Sequence, residues 1–154
     1  WEPQIADGYL YMLALEAGEV RAMWMFEKIS PILYKVHTCV LPPGRGPLAA
    51  EAAKEMAQWI WEHTECWRIV TDVPEDNPLA LRFAEAAGMQ QFGVNPQSYQ
   101  KDGKLLDVIM LGMNRPVITL TAAPCNSGSI RVTSQPRTDG PFLLIEEEAI
   151  KFRT

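Results

Sequence analysis

The sequence has little that could clasp a metal or build a disulfide framework. Its three cysteines, Cys39, Cys66 and Cys125, are odd in number and widely spaced, with no CxxC and no Cys/His cluster. No metal site is therefore expected, and a reducing compartment fits. Histidine is scarcer still, with only His37 and His63. Basic residues are outnumbered, 14 Lys and Arg against 19 Asp and Glu, for a net charge of −5. A general nucleic-acid-binding surface would show as a basic excess, so no nucleic-acid partner is expected. There is no apolar run long enough to span a membrane and no charged-then-apolar leader. Neither membrane insertion nor signal-directed secretion is expected. Internal repeats and low-complexity tracts are absent as well.

What remains is ordinary globular material. At 154 residues, 47% hydrophobic and 21% charged, the chain can bury a core without cross-links. Residues 1–8 read as a short lead-in. Tyr9–Ala17 and Val20–Phe26 are apolar runs around an Ala-Gly-Glu break, which predicts a β-hairpin. Helix is the rival reading for Tyr9–Ala17, because Leu, Met and Ala favour it.

Ile32–Leu41 is β-branched and aromatic, hence a strand. Alternation puts Tyr34, Val36, Thr38 and Val40 on one face and Lys35, His37 and Cys39 on the other. The Pro-Pro-Gly-Arg-Gly-Pro run from Pro42 to Pro47 must be irregular. Leu48–His63 then reads as a helix, with Leu48, Ala52, Met56, Trp59, Ile60 and His63 as its apolar stripe.

Trp67–Val73 predicts a strand. Asn77-Pro78 predicts a second helix start, an N-cap followed by a first-turn proline, and Gly88 its stop. Met89–Val94 and Leu105–Met113 predict two last strands around an Asp102-Gly103 turn, with 94–104 able to extend them. Composition shifts after Arg115-Pro116, so residues 1–115 read as the domain and 116–154 as a β-rich extension or arm.

Several side chains have a functional and a plainer reading. His37, on a strand beside the glycine loop, can be a general base near neutral pH or a sheet histidine. His63 ends a helix, where a cation suits the carbonyl end. Glu27 and Asp72, near strand ends, can accept a proton or form salt bridges. Trp59, Trp61 and Trp67 can form a platform. Core packing fits Trp59, and Trp61, off the helical stripe, is expected at an exposed interface. Pro-Gly-Arg-Gly is a phosphate-type loop or an ordinary turn. Glu146-Glu147-Glu148 reads as a solvated run.

Taken together, "VHTCVLPPGRG", "NPLALRFAEAAGM" and "DGKLLD" resemble the GNAT acetyltransferase superfamily over about residues 9–115. The middle segment resembles that family's Asn-x-x-Ala-x-x-(Tyr/Phe)-x-x-x-Gly-Phe stretch. The first two also resemble bacteriophage-encoded, head-associated GNAT-like proteins. The resemblance implies an α+β fold: a mixed, mostly antiparallel sheet with two main helices, followed by the small β-rich extension. With eight residues before Tyr9, the usual first strand and two helices are expected to be missing.

The resemblance further implies acetyl-CoA as cofactor. Its pyrophosphate would lie on Leu41, Gly44, Arg45, Gly46 and the start of the Leu48 helix, with Asn77 nearby. His37, Glu27 or Asp72 would deprotonate an amine. Three departures bear on this. Leu41 stands where Gln or Arg is usual. Pro42, Pro43 and Pro47 remove N–H donors. Phe83 replaces the usual Tyr acid and carries no proton to give. The reading adopted is a catalytically impaired bacteriophage virion or assembly protein, in the host cytoplasm or the virion. Its partners would be other phage structural proteins, or copies of itself through residues 117–154. The alternative is an active acetyl-CoA-dependent N-acetyltransferase.

Overall fold

The computed structural model describes residues 8–117 and a strand at 142–145. The elements are β1 (Tyr9–Glu16), β2 (Glu19–Ser30), β3 (Leu33–Val40), α1 (Pro47–His63), β4 (Arg68–Pro74), α2 (Pro78–Ala86), β5 (Gln90–Lys101), β6 (Lys104–Asn114) and β7 (Phe142–Ile145). They form one α+β sheet in the order β5-β6-β4-β3-β2-β1-β7. Every neighbouring pair is antiparallel except β3 with β4. The parallel pair needs a crossover, and α1 supplies it. The expected β-rich extension lies outside the described residues, apart from Pro116, Val117 and β7. No helix among the described residues is long and apolar enough to cross a membrane.

Turn chemistry sets the β1–β2 and β5–β6 hairpins. Ala17 and Gly18 have φ of 52° and 82°, and Asp102 and Gly103 have 49° and 75°. Left-handed angles at both central residues match the right-handed twist of paired strands. Strand therefore wins over helix at Tyr9, because β1 finds a partner in β2 along its length. The β5–β6 hairpin extends through 94–104 on both sides of the Asp102-Gly103 turn, as the sequence allows, with register shifts between Gln91 and Gly93 and between Asn95 and Tyr99. Asp107 holds the second bulge by accepting the Gln97 N–H at 2.9 Å.

Both helices lie over one face of the sheet. Met12, Trp24, Phe26, Val36, Ile69, Val73 and Leu111 share that face and cluster with Met56, Ile60 and Ala84 from the helices. The α1 stripe differs from expectation. Ala49, Ala53, Met56, Ala57, Ile60 and Trp61 are buried, whereas Leu48 is 58% exposed. Alanines let the helix sit close to the sheet, and counting only large side chains rotates the apparent stripe. Trp61 is thus core, not an exposed interface residue. Trp59 is half-buried and stacks on His63 at 4.2 Å between ring centroids. Trp67 is exposed, so the three tryptophans form no platform. His63 meets the Trp59 carbonyl at 2.8 Å, in keeping with its place in the last turn.

Of the two described cysteines, Cys66 is buried and Cys39 is exposed on the sheet face away from the helices. Burial raises the Cys66 thiol above its ordinary value, against smaller lowering contributions from Tyr34 and Arg68 backbone bonds. A raised pKa keeps the neutral thiol through mildly alkaline pH. In iodoacetamide labelling of the native protein at mildly alkaline pH, mapped by mass spectrometry, Cys39 reacts and Cys66 is protected until denaturant is added.

The turn before α1 is fixed by one glycine. Pro42–Gly44 forms a single 3-10 turn in which Gly44 donates its N–H to the Leu41 carbonyl at 2.9 Å. A Cβ on Gly44 would lie 2.6 Å from the Arg21 carbonyl oxygen and 2.9 Å from Arg21 Cβ. Backbone cannot yield as a side-chain tip can. Gly44→Ala is expected to cost about 1–3 kcal/mol, read as a lowered midpoint in urea. Gly93→Ala, whose Cβ would meet only the Met110 side chain, at 3.6 Å to Sδ and 4.0 Å to Cβ, is expected to stay near wild type.

Candidate functional site

The parallel strands β3 and β4 pair only at their beginnings. Leu33, Tyr34 and Lys35 face Arg68, Ile69 and Val70, yet β3 runs on to Val40 and β4 to Pro74. Beyond those pairs the facing backbone edges have no strand partner. Two side-chain links close the base of the resulting wedge. On the helix face, Thr71 Oγ1 donates to the Val36 carbonyl at 3.0 Å. On the opposite face, Lys35 Nζ meets Asp72 Oδ2 at 2.7 Å.

A cavity of about 250 Å³ occupies the wedge. Its wall includes Trp24, Met56, Thr71 and Phe83 on the helix side. It also includes His37 and Asp72, which alternate onto the far face. Residues of both faces of the sheet thus border the cavity.

The candidate base residues are partly brought together. His37 Nε2 lies 3.8 Å from Glu27 Oε2, both partly exposed. Neighbouring-strand positions Met25↔His37 and Glu27↔Lys35 explain the contact, since residues two apart on a strand share a face. Asp72 reaches the cavity but is held by Lys35. Glu27 touches His37 without lining the cavity itself. Phe83 lines the cavity, so the position read as the missing acid does face the wedge. Asn77 also lines it, while its side chain accepts the Ala80 N–H at 3.2 Å as the cap of α2.

Beyond the open end of β3 comes the start of α1, which does not itself line the cavity; Leu48 and Ala49 lie with Glu16, Arg21 and Ala22 of the β1–β2 hairpin. Its N-cap is Gly46 at φ 117°, with Pro47 in the first turn and no side chain capping the exposed N–H groups. The N–H groups of Gly46, Leu48 and Ala49 precede any helical carbonyl partner, so they are free donors at the positive end of the helix dipole. Pro47 has no N–H. Arg45 is exposed and forms no ion pair among the described residues, whereas nearby Arg21 is held by Glu16 and Glu19 at 3.0 Å each. Gly44 and Arg45 give their own N–H groups to Leu41 and Pro42 carbonyls. The Leu41 N–H goes to the Arg21 carbonyl at 2.9 Å. Donors at this turn thus belong to Gly46 and the first turn of α1 rather than to Leu41 or Gly44.

Two residues of the wedge were not singled out from sequence. Thr71 carried no signal beyond its strand. Trp24 was part of an apolar strand run, and only tertiary packing puts it on the cavity wall, 1% exposed and without a hydrogen-bond partner for Nε1 among the described residues.

No protein-family model matches the chain, and no curated protein matches it in sequence. Solved structures do. The spermidine N-acetyltransferase from Vibrio cholerae in complex with CoA and spermine matches with a TM-score of 0.63 and 13% identity, over 70% of this chain and 66% of that one. A putative phosphinothricin N-acetyltransferase matches at 0.62 and 20% identity, over 73% and 75%. The ribosomal-protein-alanine N-acetyltransferase from Brucella melitensis matches at 0.60 and 17%, over 71% and 70%. The chain spans about two thirds of the length of the Vibrio enzyme. It has the GNAT fold of these acetyltransferases. At these identities the likeness is one of fold, and it does not speak to a bacteriophage or virion origin.

The wedge gives a stability test. Thr71→Val keeps shape but removes the donor to the Val36 carbonyl. It is expected to lower unfolding free energy by about 1–2 kcal/mol, measured by urea titration, with little change in secondary structure by circular dichroism.

Proposed function

We propose, on the premise of the GNAT fold, that the protein is an N-acyltransferase that uses acetyl-CoA and passes the acetyl group to a primary amine. The observation that carries this reading is the wedge: two parallel strands that part after three residue pairs, around a cavity bordered by residues of both faces, with an uncapped helix start beyond the open end of β3. Nothing in a self-contained sheet requires such a gap. An extended, amide-bearing arm would satisfy the unpaired strand edges, and a pyrophosphate would suit the free donors of Gly46, Leu48 and Ala49. Arg45 would add a charge-assisted contact there. The CoA complex of the Vibrio enzyme supports the same choice of ligand class.

Acetyl-CoA would supply an activated acyl thioester. The remaining work falls to side chains of this protein. His37, at the far-face mouth of the wedge, takes the proton from the incoming ammonium or amine. Glu27, 3.8 Å away, stabilises the imidazolium that results. The far face is then the amine side and the helix face the thioester side. Phe83 cannot protonate the departing sulfur, so that proton comes from water or the sulfur leaves as thiolate.

A second reading draws on Phe83 and on the prolines that thin the loop donors. It is a bacteriophage virion or assembly component that keeps the fold without the chemistry. It would associate with other structural proteins, or with itself, through residues 117–154.

Calorimetric titration with acetyl-CoA separates the two. Micromolar binding that is lost in Gly46→Glu is the expected result, because a carboxylate would face the pyrophosphate at the helix start. In an acetyl-transfer assay with a diamine panel, His37→Ala is expected to lower kcat by about 10²–10⁴-fold, and Phe83→Tyr to raise it. Absence of binding at millimolar acetyl-CoA would overturn the enzyme reading. A change of oligomeric state on deleting residues 117–154 would then favour the assembly reading.

A further inference from the structure

Thr38 breaks the burial rhythm of β3. Tyr34, Val36 and Thr38 alternate onto the helix face. Tyr34 and Val36 are 7% and 2% exposed, yet Thr38 is exposed. It lines the wedge cavity, with Trp24 opposite it on β2. Pairing with β4 ends at Lys35, so at Thr38 that edge of β3 has no neighbouring strand. Two hydroxyls on the helix face thus belong to the cavity wall, and they differ. Thr71 Oγ1 donates to the Val36 carbonyl at 3.0 Å. The Thr38 side chain donates to no described residue. It has only three heavy atoms, and one χ1 step exchanges its methyl and its hydroxyl, so the donor can turn toward the contents of the cavity. Val36, Ala53, Met56, Ala57 and Phe83, on the same wall, carry no side-chain donor. The Asn77 amide does, but its Oδ1 is tied to the Ala80 N–H at the start of α2.

We propose that the Thr38 hydroxyl is a catalytic hydrogen-bond donor to the thioester sulfur, in the role that Phe83 leaves unfilled. The proposal rests on the acyl-CoA reading above and deepens it. His37 and Thr38 are consecutive, so they stand on opposite faces of one unpaired strand edge. The base is then on the amine side and the hydroxyl on the thioester side. In the transfer step the amine nitrogen bonds to the acyl carbon. The C–S bond breaks with its electron pair on sulfur, and the amine proton passes to His37. An alcohol holds its proton more tightly than a thiol does, so Thr38 transfers none. It steadies the departing thiolate by a charge-assisted hydrogen bond, and water protonates the sulfur on release.

The test uses the full chain in an acetyl-transfer assay with a diamine panel, beside calorimetry with CoA and with desulfo-CoA, which lacks the sulfur. Thr38→Val keeps the β-branched shape and removes the hydroxyl, whereas Thr38→Ser keeps the hydroxyl. Thr38→Val is expected to lower kcat about 10- to 100-fold with KM for acetyl-CoA little changed, and Thr38→Ser to stay near wild type. In calorimetry at alkaline pH, where the thiolate forms, Thr38→Val is expected to weaken CoA about fivefold or more and to leave desulfo-CoA unchanged. The calorimetric arm decides even if no amine of the panel is the acceptor. A Thr38→Val protein as fast as wild type, or a Thr38→Ser protein as slow as Thr38→Val, overturns the donor role and leaves the acyl-CoA reading standing. Equal effects on CoA and desulfo-CoA overturn the assignment to sulfur in the same way. If wild type binds neither CoA nor acetyl-CoA at millimolar concentration, both are overturned.

Discussion

The parting of β3 and β4 is the constraint on which the rest of the structure turns. Parallel pairing is satisfied over Leu33–Lys35 with Arg68–Val70 and then stops. Stopping exposes two strand edges, and edges left open inside a fold invite an extended partner. The base of the gap is held from both faces, by Thr71 on Val36 and by Lys35 on Asp72. One link is a neutral hydrogen bond and the other an ion pair, so the wedge keeps its angle without backbone pairing.

The loop before α1 resolves two competing demands. It must turn the chain from β3 under the sheet's rim, and it must leave donors at the helix start. Gly44 serves the first, since only a residue without Cβ fits against Arg21. Gly46 serves the second, because a left-handed N-cap with no side chain leaves the first turn open. The prolines stiffen the turn and remove donors, yet only Pro47 lies in the first turn of α1. Donor loss at the helix start is therefore smaller than a count of prolines implies.

Charge follows the sheet's two faces. The helix face is largely apolar, with Thr38 and Thr71 among its polar side chains at the cavity. The far face carries Glu27, Lys35, His37 and Asp72 within two strand steps of one another. The cavity is thus bordered by an apolar face and a charged one. Arg68 strengthens the neighbouring β4–β6 region on that same far face, bonding Asn114 at 2.7 Å and lying 4.7 Å from the Phe92 ring centroid.

The local pattern of the sequence determined the order and type of the elements. Alternation in β2 and β3, Asn77-Pro78 before α2, and the Ala17-Gly18 and Asp102-Gly103 turns act over a few residues, and the structure keeps them. The GNAT-like arrangement was legible for the same reason. Tertiary structure decided what depends on distant partners. It chose the alanine face of α1 over the larger side chains, buried Trp61, exposed Cys39 and gave Gly44 a packing duty. It also set His37 beside Glu27 and tied Asp72 to Lys35. Such pairings follow from register between strands, and register is set by the whole sheet closing over its core. The wedge belongs to the same class. Residue spacing cannot say where two strands cease to pair, because that point is fixed by how α1 and α2 pack across both.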